Sequence, residues 1–119
     1  MSVAHDLNAL DEQRRKEAAR QLVADAARRL YLLRQKSALI ESGDAAIWEE
    51  TGTMAHELIR AGAPLDLGLL VACAKEVLHF TTRRAAGPPH EPKLVFYLVC
   101  ALDTLGMELE RLRCDRDLR

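Results

Sequence analysis

Apolar residues recur at three- and four-residue steps through most of the chain, and three short segments rich in Gly, Pro and Asp interrupt them. This spacing is typical of amphipathic α-helices, and Gly and Asp commonly end one helix and begin the next. The pattern therefore predicts four helices and no strand. They cover residues 6–42, 45–61, 65 or 66 to 84, and 92–114.

Four helices joined by short connections pack as antiparallel neighbours around one core. A chain of 119 residues is long enough for one such core and too short for two. The expected fold is therefore all-α: an antiparallel four-helix bundle with a long N-terminal helix, in which residues 1–119 form a single domain. If it is continuous, the first helix is roughly 55 Å long, so half of it would extend past the other three unless it bends or docks on a partner.

The predicted second helix divides cleanly into two faces, with Asp44 as its N-cap. Its predicted buried face consists of Ile47, Thr51, Met54, Ala55 and Leu58. Its opposite, polar stripe consists of Glu49, Thr53, His56 and Arg60. Gly52 in mid-helix costs roughly 1 kcal/mol relative to Ala, and either permits a close helix contact or is simply tolerated.

The predicted last helix is apolar on every side through the segment LVFYLVCAL. Its β-branched and aromatic residues would also suit a buried strand, but apolar positions continue at helical spacing through Leu112 and no partner strand is predicted. A helix that is apolar all round must be covered all round. We therefore expect it in the middle of the bundle or against a second copy, with the core or interface formed by Val95, Leu98, Val99, Leu102, Asp103 and Leu105.

Asp103 is a lone charge within this apolar helix, on the same stripe as Phe96, Cys100 and Met107. A buried carboxylate needs a partner or a raised pKa. Lys75, at about the same level of the preceding helix, is the candidate partner. The alternative is a polar contact that fixes the helix register or a dimer interface.

Composition narrows the classes of function. The chain is 49% hydrophobic and 29% charged, which excludes an intrinsically disordered protein. Its net charge of −1 argues against a dedicated nucleic-acid-binding protein, and acids accompany its arginines at helical spacing, as for Glu108 and Arg111. The sequence lacks an apolar stretch of the roughly 18 residues of a membrane span, a secretory signal and a paired-cysteine motif. We therefore expect a cytoplasmic protein that does not bind membranes.

No arrangement of residues predicts an enzyme, and we expect no catalytic residue, cofactor or metal. Glu76 and His79 have the ExxH spacing of di-iron bundles, but the motif occurs once instead of twice. Cys73 and Cys100 lie within about one turn of each other on neighbouring predicted helices, and His79 follows Cys73 by two turns. A soft-metal or haem site formed by these three residues is one alternative, and two core cysteines with a surface His is the simpler interpretation.

The segments ESGDAAIW, MAHELIRAG and CAKEVL resemble the histidine-phosphotransfer domains of bacterial relay systems, which are also helical bundles. The resemblance rests on the turn at residues 43–44, on His56 in mid-helix and on Cys73 in a later helix. It implies that His56 is a phospho-accepting imidazole on a polar helix face. The chain departs from the family at Ile59 and Arg60, where the family has Lys and Gly immediately after its His motif.

The expected function is a non-enzymatic interaction or regulatory protein, a homodimer that binds a partner protein through its helix surfaces. The all-round apolar last helix and the long first helix support this expectation. Phosphotransfer through His56, and metal or haem binding by Cys73, His79 and Cys100, are the alternatives.

Overall fold

The computed structural model describes residues 3–86 and 91–118, and the side chains of residues 9–85 and 91–118. Within these ranges the chain is helical throughout, with turns between helices and no strand, so the prediction of an all-α protein is confirmed. The α-helices are α1 (Val3–Arg34), α2 (Ser37–Ser42), α3 (Ala45–Gly62), α4 (Gly68–Ala86) and α5 (Pro92–Arg113). Single 3₁₀ turns follow α3 and α5, at Ala63–Leu65 and Arg116–Leu118.

The N-terminal helix is long but interrupted, because the helical region predicted over residues 6–42 is divided into α1 and α2. α1 ends at Arg34, where the backbone N–H of Lys36 donates to Leu33 O at 2.9 Å and tightens the last turn. The short α2 then carries Ile40 into the core. The indole of Trp48 donates to Ile40 O at 2.9 Å, and Gly43 ends α2 with a positive φ of 76°. The hydrogen bond from Trp48 to the Ile40 carbonyl and the left-handed backbone conformation of Gly43 therefore stabilise the turn between α2 and α3.

α3 follows the predicted boundaries and faces closely. Asp44 caps it, since its Oδ1 accepts a hydrogen bond from the backbone N–H of Ile47 at 3.1 Å. All five residues of the predicted inner face are buried, and the predicted polar stripe is exposed. The amphipathic periodicity of the sequence therefore predicted both the extent and the two faces of α3 correctly.

α4 begins three residues later than the predicted start at Leu65. A 3₁₀ turn comes first, and Asp66 ends it in the left-handed region with φ of 58°. The N–H of Leu67 reaches back to Gly62 O at 3.3 Å, so the chain reverses direction here before Gly68 opens the helix.

The four longer helices contact one another in the cyclic order α1, α3, α4, α5. Neighbours run antiparallel: Gly52 of α3 lies against Thr81 of α4, whereas Gly62, ten residues later in α3, lies against Val71. In the same way, Arg20 of α1 bonds to Leu118 O and Arg34 bonds to Leu102 O. The almost completely buried side chains between these helices include Met54, Leu70, Val77, Leu98 and Leu105.

The molecule is elongated, with principal extents of 61 × 24 × 18 Å. The buried side chains of α1 begin at Ala19, and the described residues before it are mostly exposed. None of the described helices is both long enough and apolar enough to traverse a lipid bilayer.

Candidate functional site

The outer face of α5 presents a line of exposed side chains, three of which are apolar and three charged. Phe96 exposes 64% of its surface and Met107 exposes 73%, and Cys100 between them is also exposed. Exposed charged residues complete the line at every third or fourth position. We call this set the outer stripe of α5, and its members are Lys93, Phe96, Cys100, Asp103, Met107 and Glu110.

The opposite face of α5 lies in the core of the chain. Of the residues predicted to form a core or an interface, Leu98, Leu102 and Leu105 are buried and Val95 is half-buried. Val99 is 38% exposed, at the edge of the outer stripe. One chain therefore covers only one side of α5, although the sequence is apolar on both.

Asp103 is not buried within a single chain, and the prediction that Lys75 is its partner is wrong. The Asp103 side chain is 58% exposed, and its Oδ1 lies 2.7 Å from Nη2 of Arg34 in α1. The same Arg34 nitrogen donates to Leu102 O at 3.1 Å. The lack of a side chain at Gly106 leaves space for the Arg34 guanidinium, because a Cβ at that position would lie 3.2 Å from Nη2 of Arg34. The carboxylate therefore joins α5 to α1 instead of α4.

The buried carboxylate of α5 is Glu108, whose burial the sequence pattern did not indicate. Its side chain is 5% exposed and receives two hydrogen bonds from Arg111, from Nε at 2.6 Å and from Nη2 at 2.8 Å. This contact raises the pKa of Arg111 above its ordinary value. The spacing of the two residues was visible in the sequence and was interpreted as an ordinary surface pair. Burial of one partner depends on how α5 is rotated, which the spacing does not specify.

Aromatic side chains extend the apolar surface from α5 onto α4. Tyr97 stacks on Phe80 of α4 with ring centroids 5.6 Å apart, and Phe96 meets Tyr97 edge-on at 6.1 Å. His79 in turn contacts Phe80 at 5.3 Å. The outer stripe is therefore broadened at its N-terminal end by aromatic rings that pack on one another.

A second surface is an open groove of about 570 Å³ between α3 and α4. Its floor is narrow because the helices approach closely at Gly52, where an added Cβ would lie 2.9 Å from Oγ1 of Thr81. The residues along its walls include Trp48, Glu49, Thr53, His56, Thr82 and Ala85. We call this the α3–α4 groove.

Arg84 closes one end of the α3–α4 groove. Its Nη2 donates to Gly43 O, and its guanidinium carbon lies 5.7 Å from the ring centroid of Trp48. Its Nε is buried and has no hydrogen-bond partner among the described residues. Arg84 thus packs the end of α4 against the corner between α2 and α3.

His56 is exposed on α3 and lines the α3–α4 groove. This is where the resemblance to phosphotransfer domains requires an accepting imidazole. The residues after it do not supply the family's Lys and Gly: Ile59 is packed against the core and Arg60 is exposed.

Cys73, His79 and Cys100 do not form a metal-binding group. Cys73 is buried in the core, whereas Cys100 belongs to the outer stripe and His79 is exposed. Among the residues whose positions are described, no three His, Cys, Asp or Glu side chains come together as metal ligands. Burial, with the nearby charges of Glu108 and Glu76, raises the pKa of the Cys73 thiol and keeps it protonated.

The outer stripe and the α3–α4 groove are thus the two surfaces with distinctive chemistry among the described residues. The stripe offers exposed apolar side chains beside a pocket of about 240 Å³ that Val99 and Asp103 help to line. The groove offers a His, a Glu and three Thr hydroxyls around an open channel. The chain matches no protein-family model, no curated protein and no solved structure.

Proposed function

We propose that this chain is a non-enzymatic interaction protein, an antiparallel four-helix bundle of α1, α3, α4 and α5 that forms a homodimer through the outer stripe. The observation that carries the proposal is the exposure of Phe96 and Met107, about three turns apart on the same face of α5. Single exposed apolar side chains are normal on a soluble protein. A line of them, flanked by Val99 and Tyr97, is a typical protein-docking surface.

A test of this function uses Met107→Asp, analysed by native mass spectrometry and sedimentation equilibrium. The wild-type chain is expected to be a dimer, and the variant a monomer whose dissociation constant is raised by about 100-fold or more, because an aspartate would be buried without a partner. The variant should keep its helical circular dichroism, since the Met107 side chain lies outside the core of one chain.

Leu69→Asp provides the matched control. Leu69 is 57% exposed on α4 and does not belong to the outer stripe, so its replacement should leave the dimer intact. A monomeric wild-type chain, or a Met107→Asp dimer as stable as the wild type, would overturn the proposal.

The same proposal includes a partner protein, which we assign to the α3–α4 groove. This groove shares no residue with the outer stripe, so it stays accessible in the proposed dimer. Replacing Thr53 by Arg would fill the groove with a long side chain without touching the stripe. Loss of a co-purified partner with retention of the dimer is the expected result.

His56 supports a second candidate function, phosphoryl transfer, because its imidazole is exposed beside an open groove. Phosphoramidate is a suitable probe: an imidazole nitrogen attacks phosphorus, the P–N bond of the reagent breaks, and ammonia leaves. The second candidate predicts one phosphoryl group on His56, lost in His56→Gln and kept in the matched variant His79→Gln. Equal labelling of His56 and His79 would reject it.

We also propose a cytoplasmic location. All three cysteines, Cys73, Cys100 and Cys114, are free thiols, two of them exposed. Free exposed thiols persist best in a reducing compartment.

A further inference from the structure

We infer that the partner on the outer stripe is a second copy of this chain, lying antiparallel so that α5 packs on α5 around a two-fold axis midway along the stripe. This inference rests on the proposed function and deepens it, because it specifies the direction and register of the dimer.

The spacing of the outer stripe suits helix-on-helix packing. Its members follow one another at alternating steps of three and four residues from Lys93 to Glu110. This is the seam spacing at which two helices stay in contact over several turns with a small crossing angle. The outer stripe therefore fits another straight helix better than it fits a loop or a globular surface.

Chemistry selects the antiparallel direction. Reversal of one α5 about the two-fold axis brings the basic member opposite an acidic one at each end, and the two bulkiest apolar members opposite each other. The opposed pairs are Lys93 with Glu110, Phe96 with Met107, and Cys100 with Asp103. Each pair occurs twice by symmetry, so the contact is self-complementary. A thioether against an aromatic ring is itself a favourable contact.

The parallel direction would oppose identical residues. Lys93 would then face a second Lys93, and Glu110 a second Glu110, so that like charges meet at both ends of the interface. Such contacts disfavour an arrangement, and they leave the antiparallel direction as the complementary one.

The helix dipole gives an independent argument for the same direction. Lys93 lies in the first turn of α5 and Glu110 near its last turn, and each charge opposes the dipole of its own helix. In an antiparallel pair, Lys93 lies beside the negative C-terminal end of the second α5, and Glu110 beside its positive N-terminal end. Two placements that are unfavourable in one chain become favourable in the dimer.

The remaining charges near the outer stripe are compatible with this contact. Asp103 is neutralised by Arg34, so the centre of the interface holds ion pairs instead of bare carboxylates. Glu110 pairs with Arg113 at 2.7 Å on the exposed surface, where it can accept from Lys93 of a second copy as well. Among the ion pairs of the described residues, Lys93 takes part in none.

A charge-reversal cycle tests the register: Lys93→Glu, Glu110→Lys and the double variant, with the dimer dissociation constant measured by sedimentation equilibrium. Each single change creates like-charge contacts at both ends, and should raise the dissociation constant about tenfold. The double variant restores opposite charges, and should return to within about threefold of the wild type. These side chains are exposed, and circular dichroism checks that each variant folds.

Lys75→Glu and Glu76→Lys are the matched controls, because they reverse the same two charges on the exposed face of α4 and should leave the dimer unchanged. A wild-type chain that stays monomeric at about 100 µM would reject the proposed function, and the register with it. A wild-type dimer whose single variants bind normally, or whose double variant stays weak, would reject the antiparallel register alone.

Discussion

The thiol of Cys73 in α4 and the carboxylate of Glu108 in α5 are both almost completely buried, and the carboxylate acts on the thiol. Burial raises the pKa of Cys73, and the negative charge of Glu108 adds to the effect. A thiol reacts as its thiolate, so a buried thiol with a raised pKa is inert. Cys100 and Cys114 lack this protection because they are exposed.

The thiols should therefore differ in reactivity with Ellman's reagent at neutral pH. At protein concentrations low enough for the proposed dimer to dissociate, Cys100 and Cys114 are expected to react within minutes, and Cys73 only after the protein is unfolded in denaturant. Cys73→Ala provides the control, since it should remove the slow phase alone. A third thiol that reacts as fast as the others in the native protein would contradict the burial of Cys73.

The same raised pKa gives a stability prediction with a defined sign. The folded state holds the Cys73 proton more tightly than the unfolded chain, whose thiol titrates at its ordinary value of 9.0. The free energy of unfolding should therefore be unaffected by this group below pH 9.0 and should fall as the pH rises above it. Urea titrations of wild type and Cys73→Ala, compared across this range, measure the contribution.

Among the helices, α3 begins where the sequence places a capping residue, Asp44. Asp44 satisfies the N–H of Ile47, one of the donors that a helix start leaves unpaired. Asp44→Ala should reduce the free energy of unfolding by about 1 kcal/mol, as measured by urea denaturation. Glu49→Ala, on the exposed face of the same helix, should have a much smaller effect. Equal losses in the two variants would contradict a capping role.

The elements that departed from prediction did so where distant residues decide the structure. The separate short helix α2 is held by Trp48 of α3, whose indole donates to Ile40 O. The start of α4 depends on the left-handed backbone of Asp66, which nothing in the periodicity of its neighbours requires. The spacing of apolar residues predicted the buried face of α3 because its opposite face is polar. The same spacing could not predict which face of α5 is buried, because both of its faces carry apolar residues.

In the whole molecule, the rotation of α5 about its axis decides which of its apolar side chains lie in the core and which lie on the surface. Leu98 and Met107 lie on opposite faces, so their replacement by Asp should have opposite effects on folding. Leu98 is completely buried, so Leu98→Asp places a charge in the core, at a cost comparable with a typical stability of about 5–15 kcal/mol. We expect this variant to be unfolded by circular dichroism, whereas Met107→Asp stays folded. A native-like melting curve for Leu98→Asp would contradict the orientation of α5.

The sequence predicts which residues share each stripe of the candidate site, but not which way the stripes face or which residues from other helices they contact. The stripe that joins Phe96, Cys100, Asp103 and Met107 is visible in the sequence, as is the polar stripe that contains His56. That the first stripe faces away from the chain's own core depends on packing against α1 and α4. The partner of Asp103 could not be predicted from local spacing, because Arg34 approaches from a helix 68 to 69 positions earlier in the chain.

The elongated shape also determines how the protein moves through solution. Its radius of gyration is 16.6 Å, whereas a compact domain of this length would have about 13.5 Å. A value of 16.6 Å is typical of a compact chain of about 200 residues. A single chain should therefore diffuse slowly and emerge early from a gel-filtration column, near the volume of a globular protein almost twice its mass. Elution volume alone would make a monomer resemble a dimer, so mass itself is the quantity that distinguishes them.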